Sequence, residues 1–441
     1  MKFHGGIHPK YNKDTAGAPI EEMPLLGRYV VPLSQHLGAP GEAIVEKGQE
    51  VKRGEPLSKA AGFVSVPVHA PTSGKVKSVG EFPHPMGRTM PAVEIESDGA
   101  DEWWEGVKPR GEWRGLDADA VKKILCDAGL VGMGGATFPT HVKLSPPKDK
   151  PIRTFILNAA ECEPFLTSDH RVMLEHAGEV MEGVGLFMKT LGVERAFIGV
   201  ENNKPDAYES LEKACPADVK TELVFLETKY PQGSEKHLIR ALTGREVPSG
   251  GLPMDVGCLV QNVGTAKAAF DAVEKGIPLI ERVATVTGNG IRQPKNVLFR
   301  VGAPLADILE FCGGLNDDAT KVILGGPMMG VAQHSLEAPA IKGTSGVLCF
   351  PRAEIYQYTT KACVRCGRCI DVCPMGLTPS VMGLLAERER WEELCAYNLA
   401  DCMECGSCAW TCPSSRPLVQ FIRRGKVEVR EILKRRKEAA S

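Results

Sequence analysis

CVRCGRCIDVCP (residues 363–374) decides the chemistry of the C-terminal region, and CMECGSCAWTCP (402–413) repeats its cysteine spacing. In both stretches three cysteines stand three residues apart, and a fourth follows after three more residues and precedes a proline. This is the ligand spacing of 4Fe–4S clusters. A zinc ion needs only two pairs of cysteines, so zinc is the weaker interpretation of the doubled pattern. The repeat predicts two 4Fe–4S clusters.

The two motifs are expected to share their ligands, because in chains with two such clusters the fourth cysteine of each motif binds the other cluster. The run 380–399 between the motifs is predicted to form one helix, which is typical of helical dicluster ferredoxin domains. Two adjacent clusters would relay electrons one at a time. The predicted ligands of cluster 1 are Cys363, Cys366, Cys369 and Cys412, and those of cluster 2 are Cys402, Cys405, Cys408 and Cys373.

The composition is that of a globular chain of 441 residues with no basic surplus. Its 53 Lys and Arg and 55 Asp and Glu residues give a formal net charge of -2, which argues against nucleic-acid binding. No apolar run approaches the roughly 18 residues of a membrane span, and the first residues contain no apolar signal sequence. We therefore expect a cytoplasmic chain without a transmembrane segment. The seven cysteines outside the motifs are predicted to be small buried hydrophobic residues.

Residues 28–98 contain short alternating apolar runs separated by glycine and proline turns, which predicts a small β domain. Its KGQEVKRGEPL and HAPTSGKVKSV stretches resemble the lipoyl or biotinyl carrier type of barrel sandwich. Lys59 is the candidate for modification, but the sequence around a carrier lysine is missing, so an unmodified packing module is predicted. Residues 1–27 form an N-terminal extension without clear periodicity.

Strand–helix alternation over 112–275 predicts an α/β domain with a parallel sheet. Residues 281–335 resemble the SLBB type of β-grasp domain, 352–416 hold the dicluster ferredoxin domain, and 417–441 predict a basic helix that is solvated or docks on an acidic partner or lipid. The predicted fold class is thus a multidomain chain of α/β and α+β domains. In the α/β domain the predicted strands are 152–158, 195–200 and 222–227, and the helices are 117–126, 171–191, 206–214, 233–243 and 264–275.

Four segments of the α/β domain carry residue types of a nucleotide site. GMGGATFPT (132–140) follows a predicted helix, and its glycines allow a ligand close to the backbone. NAAECEP (158–164) leaves the first predicted strand at its carboxyl end, where ligands of parallel sheets bind. GSE (233–235) and QNVGT (261–265) each begin a helix, whose first N–H groups attract anions. Together these segments resemble the flavin-binding subunit of the NADH dehydrogenase module of respiratory complex I.

This resemblance implies FMN and NAD(H) as cofactors. FMN suits a chain with iron–sulfur clusters, because it converts between two-electron and one-electron transfer. Met133 replaces the family's arginine and Ala160 its aspartate, and Ser234 and Gln261 also depart from the pattern, which bears on the strength of binding. By the resemblance, FMN contacts Gly132, Gly134, Lys143, Asn158, Glu161 and Asn262, with Gly233 at the helix start, and NAD(H) is positioned by Phe138, Glu163 and Glu235.

The order of the parts, from FHGGIHP (3–9) to GGPMMG (325–330) and the ferredoxin domain, resembles the C subunits of Rnf complexes. These are membrane-bound, ion-pumping ferredoxin:NAD+ oxidoreductases. The resemblance implies a peripheral subunit on the cytoplasmic side of the cell inner membrane. It would exchange a hydride with NAD(H) at FMN and relay single electrons through its clusters. Its partners would be the other Rnf subunits and, indirectly, ferredoxin.

Two alternatives remain open from the sequence. A cobalamin reductase shares the flavin, SLBB and ferredoxin blocks, but the FHGGIHP stretch and the barrel sandwich favour the Rnf interpretation. An electron-wiring adaptor without flavin is suggested by Met133 and Ala160. Flavin content and the choice between cob(II)alamin and NAD+ as acceptor distinguish the three.

Overall fold

The computed structural model describes residues 3–355 and 361–440. Residues 1–2, 356–360 and 441, which belong to the predicted N-terminal, ferredoxin and C-terminal segments, lie outside this range. Four sheets occur within the described residues, and a helical region follows them.

The first unit is an antiparallel β sandwich. Its main sheet has the order β2-β7-β6-β4, and β3 pairs with β5. Val31, Leu57 and Val93 belong to its buried core. Lys59 is exposed and its ammonium pairs with Glu42 at 3.0 Å. The strands, with one that precedes the sandwich, are β1 (Ile20–Glu22), β2 (Arg28–Pro32), β3 (Glu42–Ala43), β4 (Glu50–Val51), β5 (Ser58–Lys59), β6 (Gly74–His84) and β7 (Arg88–Ser97).

A four-stranded parallel sheet of order β10-β9-β8-β11 is the centre of the second unit, as predicted. Asp117 caps the first helix by accepting a hydrogen bond from the Ala120 N–H at 2.8 Å. The elements are α1 (Ala118–Asp127), α2 (Thr140–Lys143), β8 (Thr154–Ala159), α3 (Ser168–Glu175), α4 (Ala177–Leu191), β9 (Ala196–Glu201), α5 (Pro205–Lys213), β10 (Thr221–Leu226), α6 (Glu235–Thr243), β11 (Cys258–Asn262) and α7 (Val263–Phe270).

Two details of this unit differ from the prediction. The helix predicted over 171–191 is two helices, because His176 leaves the helical conformation with φ −131°. Strand β11 was not predicted. All five of its residues are buried, so it shows no alternation of apolar and polar positions. The missed strand carries Gln261 and Asn262 at its carboxyl end.

The third unit is a six-stranded mixed sheet of order β1-β13-β12-β16-β14-β15. Its edge strand β1 comes from the N-terminal extension and runs parallel to β13. The remaining elements are β12 (Glu281–Thr287), β13 (Lys295–Arg300), α8 (Leu305–Phe311), β14 (Ala319–Leu324), β15 (Val331–Ala332) and β16 (Gly346–Pro351).

Helices alone form the regular structure of residues 361–440. The single helix predicted over 380–399 is wrong: Glu389, with φ +57°, separates two shorter helices. Among the described helices, none is both long and apolar enough to cross a membrane. The helices are α9 (Arg368–Asp371), α10 (Pro379–Glu387), α11 (Trp391–Leu394), α12 (Ser407–Trp410) and α13 (Leu418–Ala440).

Candidate flavin and iron–sulfur sites

The glycine turn lies against the carboxyl end of the parallel sheet. A Cβ atom on Gly134 would approach the Cβ of Asn262 to 3.0 Å, so only glycine fits without displacement of its neighbour. Residues 134–136 are exposed, and Gly132 and Phe138 at the ends of the turn are half-buried. The turn therefore offers an open backbone surface beside β11, as the sequence predicts for a flat or phosphorylated ligand.

Lys143 joins two other predicted segments at the same edge. Its ammonium donates to the Val260 carbonyl at 2.7 Å and forms a close ion pair with the Glu235 carboxylate. Glu235 is the first residue of α6, whose N-terminus attracts negative charge. Lys143 and Glu235 are thus brought together, although they are 92 residues apart.

Asn158 and Gly233 also meet. The Asn158 amide donates to the Gly233 carbonyl at 2.8 Å, and the Gly233 N–H donates to Cys162 Sγ at 3.3 Å. Burial raises the pKa of the Cys162 thiol well above its ordinary value, so this sulfur is a neutral acceptor. Cys162 is half-buried in this position between two loops, whereas the sequence predicts a buried residue.

Glu161 and Asn262 lie in a polar network behind the turn. The Glu161 carboxylate accepts the Asp169 N–H at 2.7 Å, and the Asn262 amide donates to the Asp169 carboxylate at 2.6 Å. Burial, and then the charge of Glu161, raises the pKa of Asp169 to about 6. Arg282 of β12 completes the network by donating to the Met133 carbonyl at 2.9 Å. Asp169 and Arg282 were not identified from the sequence, because neither belongs to the four motif segments.

Glu163 points toward the SLBB-type sheet. Its carboxylate accepts the N–H groups of Met328 and Met329 at 3.1 and 3.0 Å. Burial raises the pKa of Glu163 to about 7, although these two hydrogen bonds act to lower it. In this arrangement Glu163 holds the GGPMMG loop, and the contact with NAD(H) implied by the resemblance stays a prediction.

The donor set at this edge fits FMN. Both polar side-chain atoms of the buried Gln261 lack a protein partner in the described part of the chain. Gln261 precedes Asn262 at the end of β11, so these atoms are available to a ligand there. An exposed glycine turn, a lysine ammonium and an unpartnered buried amide are groups that bind a flavin's polar ring edge and phosphate.

Two lysines, the half-buried Lys13 and the buried Lys204, fix the loop between β8 and α3. Lys13 donates to the carbonyls of Glu161 and Glu163, both at 2.9 Å. Lys204 donates to the Ala160 carbonyl at 2.7 Å and pairs with Glu201. Neither lysine stands near a motif in the sequence, so only the fold reveals their role.

The four ligands predicted for cluster 2 line one cavity. Its other walls are mostly apolar and include Pro374, Met382 and Ile422. Burial, and then the neighbouring Cys405 and Cys373, raises the pKa of the Cys402 thiol to about 11. The proximity of Cys373 to the second motif supports the predicted exchange of ligands. The cavity-lining ligands are Cys373, Cys402, Cys405 and Cys408.

The first motif is less enclosed. Cys363 and Cys366 are exposed, whereas Cys369 is buried. Burial raises the pKa of Cys369, and the nearby Cys412 and Cys363 raise it further, which supports Cys412 as the fourth ligand. Within the described residues 3–355 and 361–440, no three His, Cys, Asp or Glu side chains lie close enough together to bind one metal ion.

The ferredoxin domain packs directly on the flavin-site loops. The Tyr230 hydroxyl donates to the Cys405 carbonyl at 2.8 Å, and Ser234 donates to Met403 Sδ at 3.6 Å. Tyr230 is fully buried, and burial and the Glu163 charge raise its pKa. The sequence did not identify Tyr230, because an isolated tyrosine carries no motif.

The N-terminal FHGGIHP stretch lies at the same junction. Gly6 donates its N–H to the Val372 carbonyl at 2.9 Å, and Ile7 exchanges backbone hydrogen bonds with Tyr230. Gly5 has φ +68°, and a Cβ there would lie 2.7 Å from the Cys373 carbonyl oxygen. These glycines let the backbone of residues 3–8, here called the N-terminal strap, fit between the flavin and ferredoxin domains.

Family models match four successive segments of the chain. They are the RnfC barrel sandwich hybrid domain at 1–100, the Nuo51 FMN-binding domain at 125–271, the SLBB domain at 283–332 and the 4Fe-4S dicluster domain at 362–415. These models have the order of the units described above and support FMN and two 4Fe–4S clusters.

The chain is 51% identical to the C subunit of the proton-translocating ferredoxin:NAD(+) oxidoreductase complex of Clostridium ljungdahlii, across 99% of this chain and 95% of the relative. It is 48% identical to the C subunit of the Na(+)-translocating ferredoxin:NAD(+) oxidoreductase complex of Acetobacterium woodii, across 99% and 98%. The chain belongs to this family of Rnf C subunits. Membership confirms the predicted Rnf resemblance, the domain types and the ferredoxin:NAD+ oxidoreductase class, and gives no support to cobalamin reduction. The two relatives are named for different ions.

Two crystal structures of NAD+-reducing [NiFe]-hydrogenase share the fold. The air-oxidized form has a TM-score of 0.51 at 22% identity and the H2-reduced form 0.52 at 20%. The matches cover 65% and 73% of this chain, and 55% and 65% of those chains. At this identity the likeness supports the fold alone.

Proposed function

We propose that electrons pass through this protein along one route, from NAD(H) at the flavin site to cluster 2, then to cluster 1 and a partner. FMN, when bound, exchanges a hydride with NAD(H) and single electrons with iron–sulfur clusters. The ligands of clusters 1 and 2 are those predicted above. The direction reverses when reduced ferredoxin supplies the electrons.

The observation that carries this order is the contact between Tyr230 and the second motif. Its hydroxyl donates to the Cys405 carbonyl at 2.8 Å, and Met403 accepts from Ser234, next to the Gly233 that binds Asn158. Two hydrogen bonds therefore connect the segment that carries predicted flavin contacts to the cluster 2 motif. Cys363 and Cys366 of cluster 1 face solvent.

The chain's own residues prepare the flavin site. Lys143 places its ammonium group against the Val260 carbonyl of β11, and its pairing with Glu235 orients both side chains. Lys13 and Lys204 fix the backbone of residues 160–163 by donating hydrogen bonds to its carbonyl groups. We propose the FMN and NAD(H) contacts named from the resemblance on this basis, with Glu163 acting through the GGPMMG loop.

The test uses oxygen-free full-length protein, which should contain about eight iron atoms and one FMN per chain, from two four-iron clusters. After rapid mixing with NADH, cluster 2 should be reduced before cluster 1. Freeze-quench electron paramagnetic resonance measures this order. In Gly134→Leu, whose side chain would collide with Asn262, FMN should be lost, so dithionite but not NADH should reduce the clusters. The control is Gly178→Leu, because a Cβ there meets nothing within 4 Å. Reduction of cluster 1 first, or zinc in place of iron, would contradict the proposal.

We also propose that the protein sits peripherally on the cytoplasmic side of the inner membrane. NAD(H) and ferredoxin are cytoplasmic electron carriers, and both relatives are subunits of ion-translocating complexes. Inverted vesicles should oxidise added NADH and should lose the chain on alkaline washing. Resistance to that wash would argue against peripheral attachment.

A further inference from the structure

The surroundings of cluster 1 contain large apolar side chains that are open to solvent. Val364, between two predicted ligands, is 66% exposed, and Trp410 is 53% exposed. Ile370 is 38% exposed on α9, which packs against the short helix that ends at Trp410. Apolar side chains gathered around one site on a soluble surface mark a place of interaction.

The same surface is locally basic. Lys361, Arg365 and Arg368 are exposed, and none of them forms an ion pair with another side chain in the described ranges. Asp371 is the one acidic residue from position 361 to 371. Three cations against one anion here contrast with the formal charge of -2 for the whole chain. A partner for this surface should therefore be acidic.

We propose that this surface docks an acidic one-electron carrier protein whose own redox centre lies near its surface. We call it the cluster 1 face and define it by Val364, Arg365, Arg368, Ile370 and Trp410. The inference rests on the proposed function, in which cluster 1 is the end of the route remote from flavin. Electron transfer needs a brief encounter, and such interfaces are small, with charges that guide association.

A membrane surface fits this face less well than a protein does. Exposed cations of α13, such as Arg430, Lys434 and Arg435, form a longer basic surface for lipid headgroups. The cluster 1 face instead includes residues between the cluster ligands themselves. A lipid bilayer there would block access to the cluster without accepting an electron.

The experiment compares variants of this protein in the purified complex. With reduced acidic two-cluster ferredoxin as the electron source, Arg365→Glu/Arg368→Glu should lower the rate of NAD+ reduction about tenfold and flatten its dependence on salt. Asp371→Asn should raise the rate at low salt. Lys75→Glu/Arg88→Glu is the matched control, because both cations are exposed on the β6–β7 hairpin, remote in sequence from the clusters.

Three readouts separate the docking surface from other causes. NADH oxidation with ferricyanide should be unchanged in all variants, and its loss would count against the proposed flavin route instead. Trp410→Ala should slow ferredoxin-driven NAD+ reduction while the cluster 1 signal and midpoint potential stay constant, which excludes an effect on the cluster itself. Rates that are equal in all variants would overturn the proposal. So would loss of binding to vesicles of anionic lipid without loss of electron transfer.

Discussion

The two cysteine motifs have identical spacing but differ in the exposure of their first two cysteines. Cys363 and Cys366 of the first motif are exposed, whereas in the second motif Cys402 is half-buried and Cys405 is buried. Spacing defines which metal cluster is bound, because it fixes how the thiols converge. Under the proposed route, the more buried cluster 2 lies on the flavin side and the more exposed cluster 1 on the side of an external partner.

The difference arises from what packs on each motif. Tyr230 contacts Cys405 of the second motif, the N-terminal strap contacts Val372 beside Cys373, and a ring nitrogen of His237 lies 2.9 Å from the Pro374 carbonyl. No residue of the flavin unit makes a hydrogen bond with 361–367 within the described chain. Variants that remove one cysteine ligand should therefore affect the two clusters differently.

The largest effects are expected from Cys373→Ala and Cys412→Ala. Each should lower the iron content from about eight to about four atoms, because each removes one ligand of one cluster. Cys373→Ala should also stop NADH from reducing cluster 1, whereas Cys412→Ala should leave cluster 2 reducible by NADH. Iron analysis and freeze-quench resonance spectra measure both.

Cys395→Ala is the control for these ligand variants, since Cys395 lies in the same domain outside the motifs. It should retain both clusters. If Cys373→Ala removed only the first-motif cluster, the exchange of ligands between the motifs would be wrong.

A smaller effect is expected from Gly5→Val in the N-terminal strap. The new side chain would meet the Cys373 and Val372 carbonyls at under 3 Å in a left-handed conformation. Overpacking of this kind costs about 1–3 kcal/mol and should loosen the ferredoxin domain from the flavin domain. Reduction of cluster 2 by NADH should slow while FMN content stays constant.

Gly17→Val provides the matched comparison, because a Cβ at Gly17 meets nothing within 4 Å. Stopped-flow absorbance after mixing with NADH measures both variants. Equal rates for Gly5→Val and the unmodified protein would mean that the strap does not position cluster 2.

The smallest effect is expected from Tyr230→Phe. It removes one hydrogen bond to the Cys405 carbonyl, a loss of about 1 kcal/mol. Without this donor the midpoint potential of cluster 2 should become more negative, and that of cluster 1 should not change. Potentiometric titration distinguishes the two. Tyr208→Phe, which loses a longer bond to the Leu223 carbonyl, should alter neither potential.

The sequence predicted the features that local patterns encode. Cysteine spacing indicated the cluster type, and alternating strands and helices indicated the parallel sheet around β8. It did not predict β1 in the SLBB-type sheet, because that pairing joins Ile20 to Asn296 across the whole flavin domain. A strand of three residues has no periodicity of its own.

The sequence predicted which segments form the flavin site, but only some of the contacts among their side chains. Lys143, Asn158 and Gly233 meet at the edge where the motifs place them. Glu163 contacts the GGPMMG loop, which no local pattern links to it. Lys13 was invisible in the same way, since its importance comes from carbonyls about 150 residues away.

The position of the N-terminal strap sets the order in which the chain matures. Residues 3–8 are synthesised before the backbone that they contact at Val372 and Cys373. Before the ferredoxin domain is made, the strap has Tyr230 of the flavin domain as a partner but lacks its contacts at Val372 and Cys373. The contacts of the strap across the junction can therefore form only after the ferredoxin domain has been made and docked.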